Sequence, residues 1–413
     1  MRLMKHYSVI IVGGGPAGMM CALCLAKKGM QGVLLLERND RLGKKLSATG
    51  NGQGNVTNAD MAAEHYFSET GSAESVLTAF GKDELLHFLR SLGGLFSADD
   101  EGRVYPASRQ ASSVTDLFRF ALAESGVTVR LGEKVSSARK EGENFEVCTE
   151  AGRYSARTLV LACGGKASPH FGSDGSGYAL AQSFGHTITP LSPSLVRLKA
   201  EKEHIRGLKG VRSDCRVSLS RARGEGEDTA LRSPVVRGDV LFTEGGLSGD
   251  AVFRLSAFAR EGDELDIDFL PDFSEREIAS LLFEKAGRYP NMRAEDLLRC
   301  VVHGAIGRVV LRRCGIRAEE SSEVTAQRIP KLALVMKRYA VRITGTEGFA
   351  NAQVTKGGVR LNELDKTLMS RKADGLYIVG ELADIDGECG GYNLQWAFSS
   401  GAVAADAIVG RMK

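Results

Sequence analysis

The stretch that most constrains this chain is its beginning, Ser8 to Glu37, which reads SVIIVGGGPAGMMCALCLAKKGMQGVLLLE. An apolar run, Val9 to Val12, enters Gly13-x-Gly15-x-x-Gly18 directly, and a helix-length segment, a second apolar run and a terminal acid follow. The pattern predicts a strand, a phosphate turn carrying Pro16 and Ala17, a helix and a second strand. Gly13 permits the tight turn, Gly15 lets backbone approach a pyrophosphate, and Gly18 lets the helix lie close on the strand. The helix N-terminus points free N–H groups and its positive dipole end at the phosphates. Glu37, about 20 residues beyond the last glycine and followed by Arg38, is placed to accept hydrogen bonds from a ribose hydroxyl. With strands, helix and acid all present, a dinucleotide site is expected rather than a bare glycine turn.

At 413 residues the chain exceeds one small core, and two or three lobes are expected. A formal charge of +3 gives no argument for nucleic acid or an anionic membrane. No stretch approaches the roughly 20 apolar residues that span a bilayer. The first apolar run is short and leads into the glycine turn, unlike a signal peptide. The expectation is a cytoplasmic enzyme with a small-molecule substrate and neither a nucleic-acid nor a membrane partner; nothing in the sequence marks an oligomeric state. Cys21 and Cys24, two of eight scattered cysteines, form a C-x-x-C inside the first helix. On one face with Ala17 and Leu25, they read as small core residues rather than a redox dithiol. Seven histidines without H-E-x-x-H give a metal site no support.

The polar tract Arg41 to Asp60 carries Lys44, Lys45, Gly50-Asn51-Gly52 and Asn55. It reads either as a surface loop or as a loop lying over the dinucleotide, and the basic pair and glycines favour the second. Helical spacing covers 74 to 92, Glu101 to Ser108 is a strand and turn, and a helix is expected over 111 to 125. A strand at Val127 to Arg130 precedes a hairpin with strands near Val135 to Arg139 and Phe145 to Thr149. A buried strand, Leu159 to Cys163, ends in Gly164-Gly165. Val135, Ala162, Cys163 and Gly164 join the candidate cofactor contacts.

From Ser192 to about Asp268, short β-branched runs alternate with turn residues, and RARGEGED, Arg221 to Asp228, reads as a solvated hairpin tip. A helical block is expected from Ser274 to about Cys314, with another short helix from Lys331 to Tyr339. Near the end, Leu376 to Val379 is a strand stopped by Gly380-Glu381. Gly390-Gly391-Tyr392-Asn393-Leu394-Gln395 then opens a helix running to Ala407. A helix N-terminus preceded by two glycines can hold negative charge. Gly172 to Leu180, GSDGSGYAL, has the wrong spacing for a second dinucleotide fingerprint.

TLVLACGGKASPHFGSDGSGYALAQSFGHTI resembles the strand and glycine turn of glutathione-reductase-like flavoproteins. With GNVTN at Gly54 to Asn58, FTEGGLSG at Phe242 to Gly249 and GLYIVGELADIDGECGGYNLQWAFSSG at Gly375 to Gly401, the chain resembles, over essentially its whole length, the BaiN-type (YhiN-like) FAD-dependent oxidoreductases. That family includes aminoacetone oxidase-like members. The resemblance implies an α/β fold: a Rossmann-type, glutathione-reductase-like FAD-binding domain with an inserted β-rich domain and a small helical domain. The expected boundaries are 1–190 and 351–413 for the FAD domain, 191–270 and 331–350 for the β-rich substrate domain, and 271–330 for the helical insert.

The resemblance also implies FAD as cofactor, with Gly380 and Glu381 near its ribityl and phosphate chain and Gly391, Tyr392, Asn393 and Leu394 by the isoalloxazine. Two departures matter. Many relatives read G-R-C-N where this chain has Gly52-Gln53-Gly54-Asn55, and F-T-H-x-G where it has Phe242-Thr243-Glu244-Gly245-Gly246, so the arginine, the thiol and the imidazole are missing. Tyr105, Tyr392 and Glu244 are the candidate catalytic residues. For Tyr105 the alternative is a ring that packs with its hydroxyl on backbone, and for Glu244 a solvated loop glutamate. The expected activity is hydride transfer through flavin N5 to a small conjugated carbonyl compound, with NAD(P)H as a transient electron donor. Two alternatives stay open: an amine oxidase producing hydrogen peroxide, and a non-catalytic flavin-binding or regulatory protein.

Overall fold

A computed structural model describes residues 4–221 and 235–412 and divides the chain into two compact units, Met1–Pro193 with Ala352–Lys413, and Ser194–Asn351. Beyond Arg221, the RARGEGED tract lies outside the described residues.

The first unit is built on a parallel core. Strand β1 (Lys5–Val12) leads through the glycine turn into helix α1 (Pro16–Lys27) and back into β2 (Val33–Leu36). Every residue from Val9 to Val12 and from Val33 to Leu36 is buried, as strands covered on both faces require. Two short antiparallel strands, β3 (Thr57–Asn58) and β4 (Arg103–Pro106), come next; then helix α2 (Ala111–Ala123), strand β5 (Thr128–Arg130), the hairpin β6 (Val135–Glu141) and β7 (Asn144–Thr149), and the long β8 (Arg153–Leu161). The sheet order is β5-β2-β1-β8-β7-β6, and β9 (Leu376–Ile378) pairs with β8. One strand thus serves two partners on one edge. The first half of β8 pairs antiparallel with β7, Ala156 facing Phe145, and its second half runs parallel to β9, Leu159 facing Leu376. This is how residues some 200 positions apart reach one glycine-lined sheet end.

The last helix, α3 (Tyr392–Met412), lies on α1. A Cβ at Gly401 would fall 2.3 Å from the Ala17 carbonyl oxygen and 3.2 Å from the Cys21 amide nitrogen, so the glycine sets the close approach of the two helices. Cys21 and Cys24 are buried in this packing, and burial pushes the Cys24 thiol up to about 12, which keeps it protonated and inert. The helical spacing at 74–92 resolves into two helices, Glu74–Ala79 and Lys82–Ser91. The chain extends at Gly81, whose amide donates to Glu84 Oε2 at 2.9 Å, and this cap starts the second helix.

In the second unit, six strands close into a barrel among the described residues, in the order Leu198–Ala200, Gly246–Ser248, Val236–Phe242, Arg212–Ser220, Glu264–Asp268, Tyr339–Thr346. Helices Glu275–Arg288, Gly304–Cys314 and Ile329–Lys337 share its apolar core, with Leu282, Val310 and Met336 buried alongside Val217 and Ile267. Strand Tyr339–Thr346 occupies the segment that follows the short helix.

Candidate functional site

At the carboxyl end of β1 the backbone is packed too tightly for side chains. Gly13 has φ +110°, and a Cβ on it would sit 2.3 Å from the Ala162 carbonyl oxygen, while a Cβ at Gly18 would meet the Gly13 oxygen at 1.9 Å. Gly15 is the opposite case: nothing lies within 4 Å of its Cβ direction. It caps α1, no side chain bonds the helix end, and Pro16 occupies the first turn, where its missing N–H costs nothing. Open space in front of uncapped N–H groups is what a pyrophosphate needs.

The buried Glu37 carboxylate closes this end. Its Oε2 accepts the Gly14 amide at 2.7 Å, and its Oε1 accepts both the amide and Nδ2 of Asn39, each at 2.8 Å. Asn39 was not singled out from the sequence, where no spacing rule marks it. The Glu133 amide donates to the Glu37 carbonyl at 2.9 Å, which brings the buried Val135 to the same strand end. Arg38 pairs with Asp174 at 2.6 Å and ties down the loop after Gly164, which has φ +73°. Burial would raise Asp174, but hydrogen bonds from Ser176 and Arg38 outweigh it and hold the carboxyl at about 2. The Cys163 thiol faces the Val12 carbonyl at 3.5 Å.

Further along, Lys45 and Glu381 meet at 2.7 Å, and Glu381 Oε1 accepts the Thr355 amide at 2.8 Å. Lys44 pairs instead with Asp40. Gly380, φ +69°, lies against α1, with its Cβ direction 3.0 Å from the Ala17 methyl, and its carbonyl accepts the Trp396 indole N–H at 3.0 Å. These contacts set the Gly380–Glu381 turn beside the glycine turn of β1.

The other end of the site is a run of left-handed backbone at Gly50, Asn51, Gly52 and Gly54, with φ of +58°, +53°, +85° and +77°. The run folds the loop so that Asn55 arrives beneath α3. The Cβ direction of Gly50 is 3.0 Å from the Asn55 amide nitrogen and 3.7 Å from the Tyr105 ring. Asn55 is 8% exposed, its side chain faces the Tyr105 phenol, and neither of its polar atoms has a hydrogen bond within 3.5 Å. A buried carboxamide facing only a phenol has hydrogen-bonding capacity left for a ligand. Thr57 Oγ1 to Gln395 at 2.6 Å and Asn58 Nδ2 to the Gly390 carbonyl at 3.0 Å pin β3 to the start of α3. Burial pushes the Tyr105 phenol up, against the opposing pull of Arg103 and Arg109.

Other candidates are engaged within the protein. The Tyr392 hydroxyl donates to the Asp60 carbonyl at 3.1 Å, and its ring stacks on His65 with centroids 4.6 Å apart. Asn393 locks its own turn, Oδ1 accepting the Gly387 amide and Nδ2 donating to the Gly387 carbonyl, both at 2.8 Å. Leu394 packs against the core. Glu244 belongs to the second unit, where it is exposed and paired with Lys209 at 2.8 Å; that hydrogen bond lowers its carboxyl. Sequence reasoning also missed His65 and Arg109, which become neighbours of Tyr392 and Tyr105 only through folding.

Residues 7–407 match the HI0933-like protein Rossmann domain. The chain belongs to this family. It is 38% identical over 412 residues, 97% of this chain and 98% of the relative, to a 3-dehydro-bile acid delta(4,6)-reductase of Clostridium scindens. To a ribosomal RNA dihydrouridine synthase of Escherichia coli it is 30% identical over 98% of this chain and 99% of the relative. Among solved structures, 3-ketosteroid-delta4-(5alpha)-dehydrogenase from Rhodococcus jostii RHA1 shares the fold at a TM-score of 0.50 and 15% identity, covering 99% of this chain and 98% of that one. The protein is an FAD-dependent oxidoreductase. The geometry fits that cofactor: the open helix end at Gly15 and the carboxylate of Glu37 suit the adenosine diphosphate, and the buried Asn55 carboxamide beside Gly391 suits the polar edge of a flavin. Among the described residues no helix is long and apolar enough to cross a membrane, and no group of three or more His, Cys, Asp or Glu is arranged to hold a metal.

Proposed function

We propose that the protein reduces a carbon–carbon double bond conjugated to a carbonyl group in a small, largely apolar molecule. Both relatives' names describe this chemistry. A delta(4,6)-reductase acting on a 3-dehydro bile acid saturates double bonds in conjugation with a ketone, and a dihydrouridine synthase saturates the pyrimidine bond next to a carbonyl. FAD bound in this site, reduced by a visiting nicotinamide, supplies the hydride at N5.

What this chain's residues contribute is the proton and the charge balance. Saturating such a bond puts a hydride on one carbon and a proton on its neighbour. The single observation that carries the reading is the Tyr105 phenol, 8% exposed and held beside Asn55. Raised above its ordinary range by burial, it keeps its proton at neutral pH, as a donor must. The Gly391 turn and the first N–H groups of α3 stabilise negative charge beside it. Tyr392 and Glu244 are weaker candidates because the Asp60 carbonyl and Lys209 already engage them.

The second reading, a pyrimidine in RNA, rests on the dihydrouridine synthase relatives. The small-molecule reading is favoured by the higher identity to the bile acid enzyme, 38% against 30%. A cytoplasmic location agrees with a nicotinamide donor.

The test is anaerobic. The FAD-loaded protein is reduced and mixed with a 3-oxo-4,6-diene steroid acid, with a uridine-containing ribosomal RNA fragment, or with oxygen. Flavin reoxidation with a product two mass units heavier in the steroid arm alone supports the proposal. Reoxidation by RNA alone moves the substrate to nucleic acid, and fast reoxidation by oxygen alone makes the protein an oxidase.

A further inference from the structure

The chain after Tyr105 contains a conformational oddity. Arg109 has φ +51°, the left-handed region where a residue with a Cβ is strained and glycine, asparagine or aspartate is usual. Its amide donates to the Pro106 carbonyl at 2.8 Å, closing the turn between β4 and α2. The turn delivers the guanidinium over the Tyr105 ring, 4.2 Å from the centroid. Strained backbone of this kind is concentrated at binding and catalytic sites.

The charge is also left available. Nearby Arg103 is neutralised by Asp99 at 2.9 Å and Glu101 at 3.0 Å, and Arg119 pairs with Asp116 at 2.9 Å. Among the described residues Arg109 enters no ion pair, and it is exposed. A guanidinium stacked on an aromatic face keeps its N–H fork free at the edge, pre-organised for two parallel hydrogen bonds to a carboxylate.

We propose that Arg109 is an anion anchor: the molecule reduced at this site carries a carboxylate, which Arg109 binds while Tyr105 serves the reacting carbons. The assignment deepens the reductase reading and rests on it for the identity of the reacting group, but the anion preference has its own readout. The FAD-loaded protein is titrated with 5β-cholanic acid and its methyl ester, neither of which can be reduced, and binding is followed by the change in flavin absorbance. The wild type is expected to bind the acid about 10-fold or more tightly than the ester. Arg109→Gly relieves the strained φ, so it folds, and it removes the preference; Arg109→Lys, a point charge without the fork, retains only part of it. Equal affinities for acid and ester in the wild type, or a preference that survives Arg109→Gly, overturns the proposal. So does an Arg109→Gly enzyme whose KM rises for NADPH and not for NADH, because the guanidinium then serves the nicotinamide phosphate. If 3-oxochol-4-en-24-oic acid fails to reoxidise the reduced flavin while the acid preference and its loss in Arg109→Gly hold, the reductase reading fails and the anion site stands.

Discussion

The Asn55 carboxamide fills the space that a side chain at residue 391 would need: its Oδ1 lies 2.1 Å from the position of a Cβ on Gly391, and the Thr57 carbonyl oxygen lies 2.4 Å from it. The loop and the last helix are therefore in contact through a missing side chain. Gly391→Ala, at φ +101°, should push Asn55 away and weaken FAD at least 10-fold, read as the ratio of flavin to protein absorbance after dialysis. Gly410→Ala, in the same helix with nothing within 4 Å, should leave FAD bound and raise stability by up to about 1 kcal/mol.

The Glu37 carboxylate accepts three hydrogen bonds, one of them from the glycine turn. Glu37→Gln keeps the shape but removes the charge and gives one oxygen's place to a donor that faces an N–H. Hydrogen bonds to charged groups are worth roughly 1.5–3 kcal/mol, so FAD should bind about 10- to 100-fold more weakly when the apoprotein is reconstituted.

Tyr105→Phe should retain FAD and its reduction by nicotinamide while losing about 10²- to 10⁴-fold in the oxidative half-reaction with an enone. The wild-type phenol, raised by burial, keeps its proton through neutral pH and beyond the ordinary phenol value of 10. The half-reaction should show no loss from this group between pH 7 and 9, falling only at still higher pH. A Tyr105→Phe enzyme as fast as the wild type assigns the proton to another donor.

Away from the site, His186 is held between Glu363, at 3.0 Å from Nδ1, and Ser370, at 2.7 Å from Nε2. Burial alone would raise Glu363, but hydrogen bonds from Lys372, Thr187 and His186 outweigh it and hold its carboxyl at about 2, against an ordinary 4.5. A depressed carboxyl contributes stability that is full above its unfolded value and is lost as pH falls through its folded one. Glu363→Gln should therefore be less stable than the wild type at pH 7, and the gap should close between about pH 4.5 and pH 2 in denaturant titrations. A gap that stays constant over that window sinks the assignment.

Local signals carried the class of fold and a dinucleotide site, and the family resemblance supplied the flavin. Val9 to Gly18 has one good solution, because an apolar run ending in spaced glycines can bury its strand and expose its helix end in only one arrangement. The glycine pair before α3 is legible for the same reason, since backbone geometry follows from residue type over a few positions. What the sequence could not supply is which side chains those turns bring together. Asn39 reaches Glu37 only because the chain bends after β2, and Arg109 covers Tyr105 only because the turn closed on Pro106 takes a left-handed residue. The extended chain at Gly81 divides a single helical spacing in two. Tyr392 and Asn393 show the converse: the family resemblance placed them by the flavin, whereas packing commits much of their hydrogen-bonding capacity to Asp60 and Gly387. Composition and spacing thus determined the dinucleotide-binding frame. The polar contacts of the site, formed between segments up to about 340 residues apart, were decided by how β8 shares its two halves between β7 and β9 and by the fit of α3 on α1.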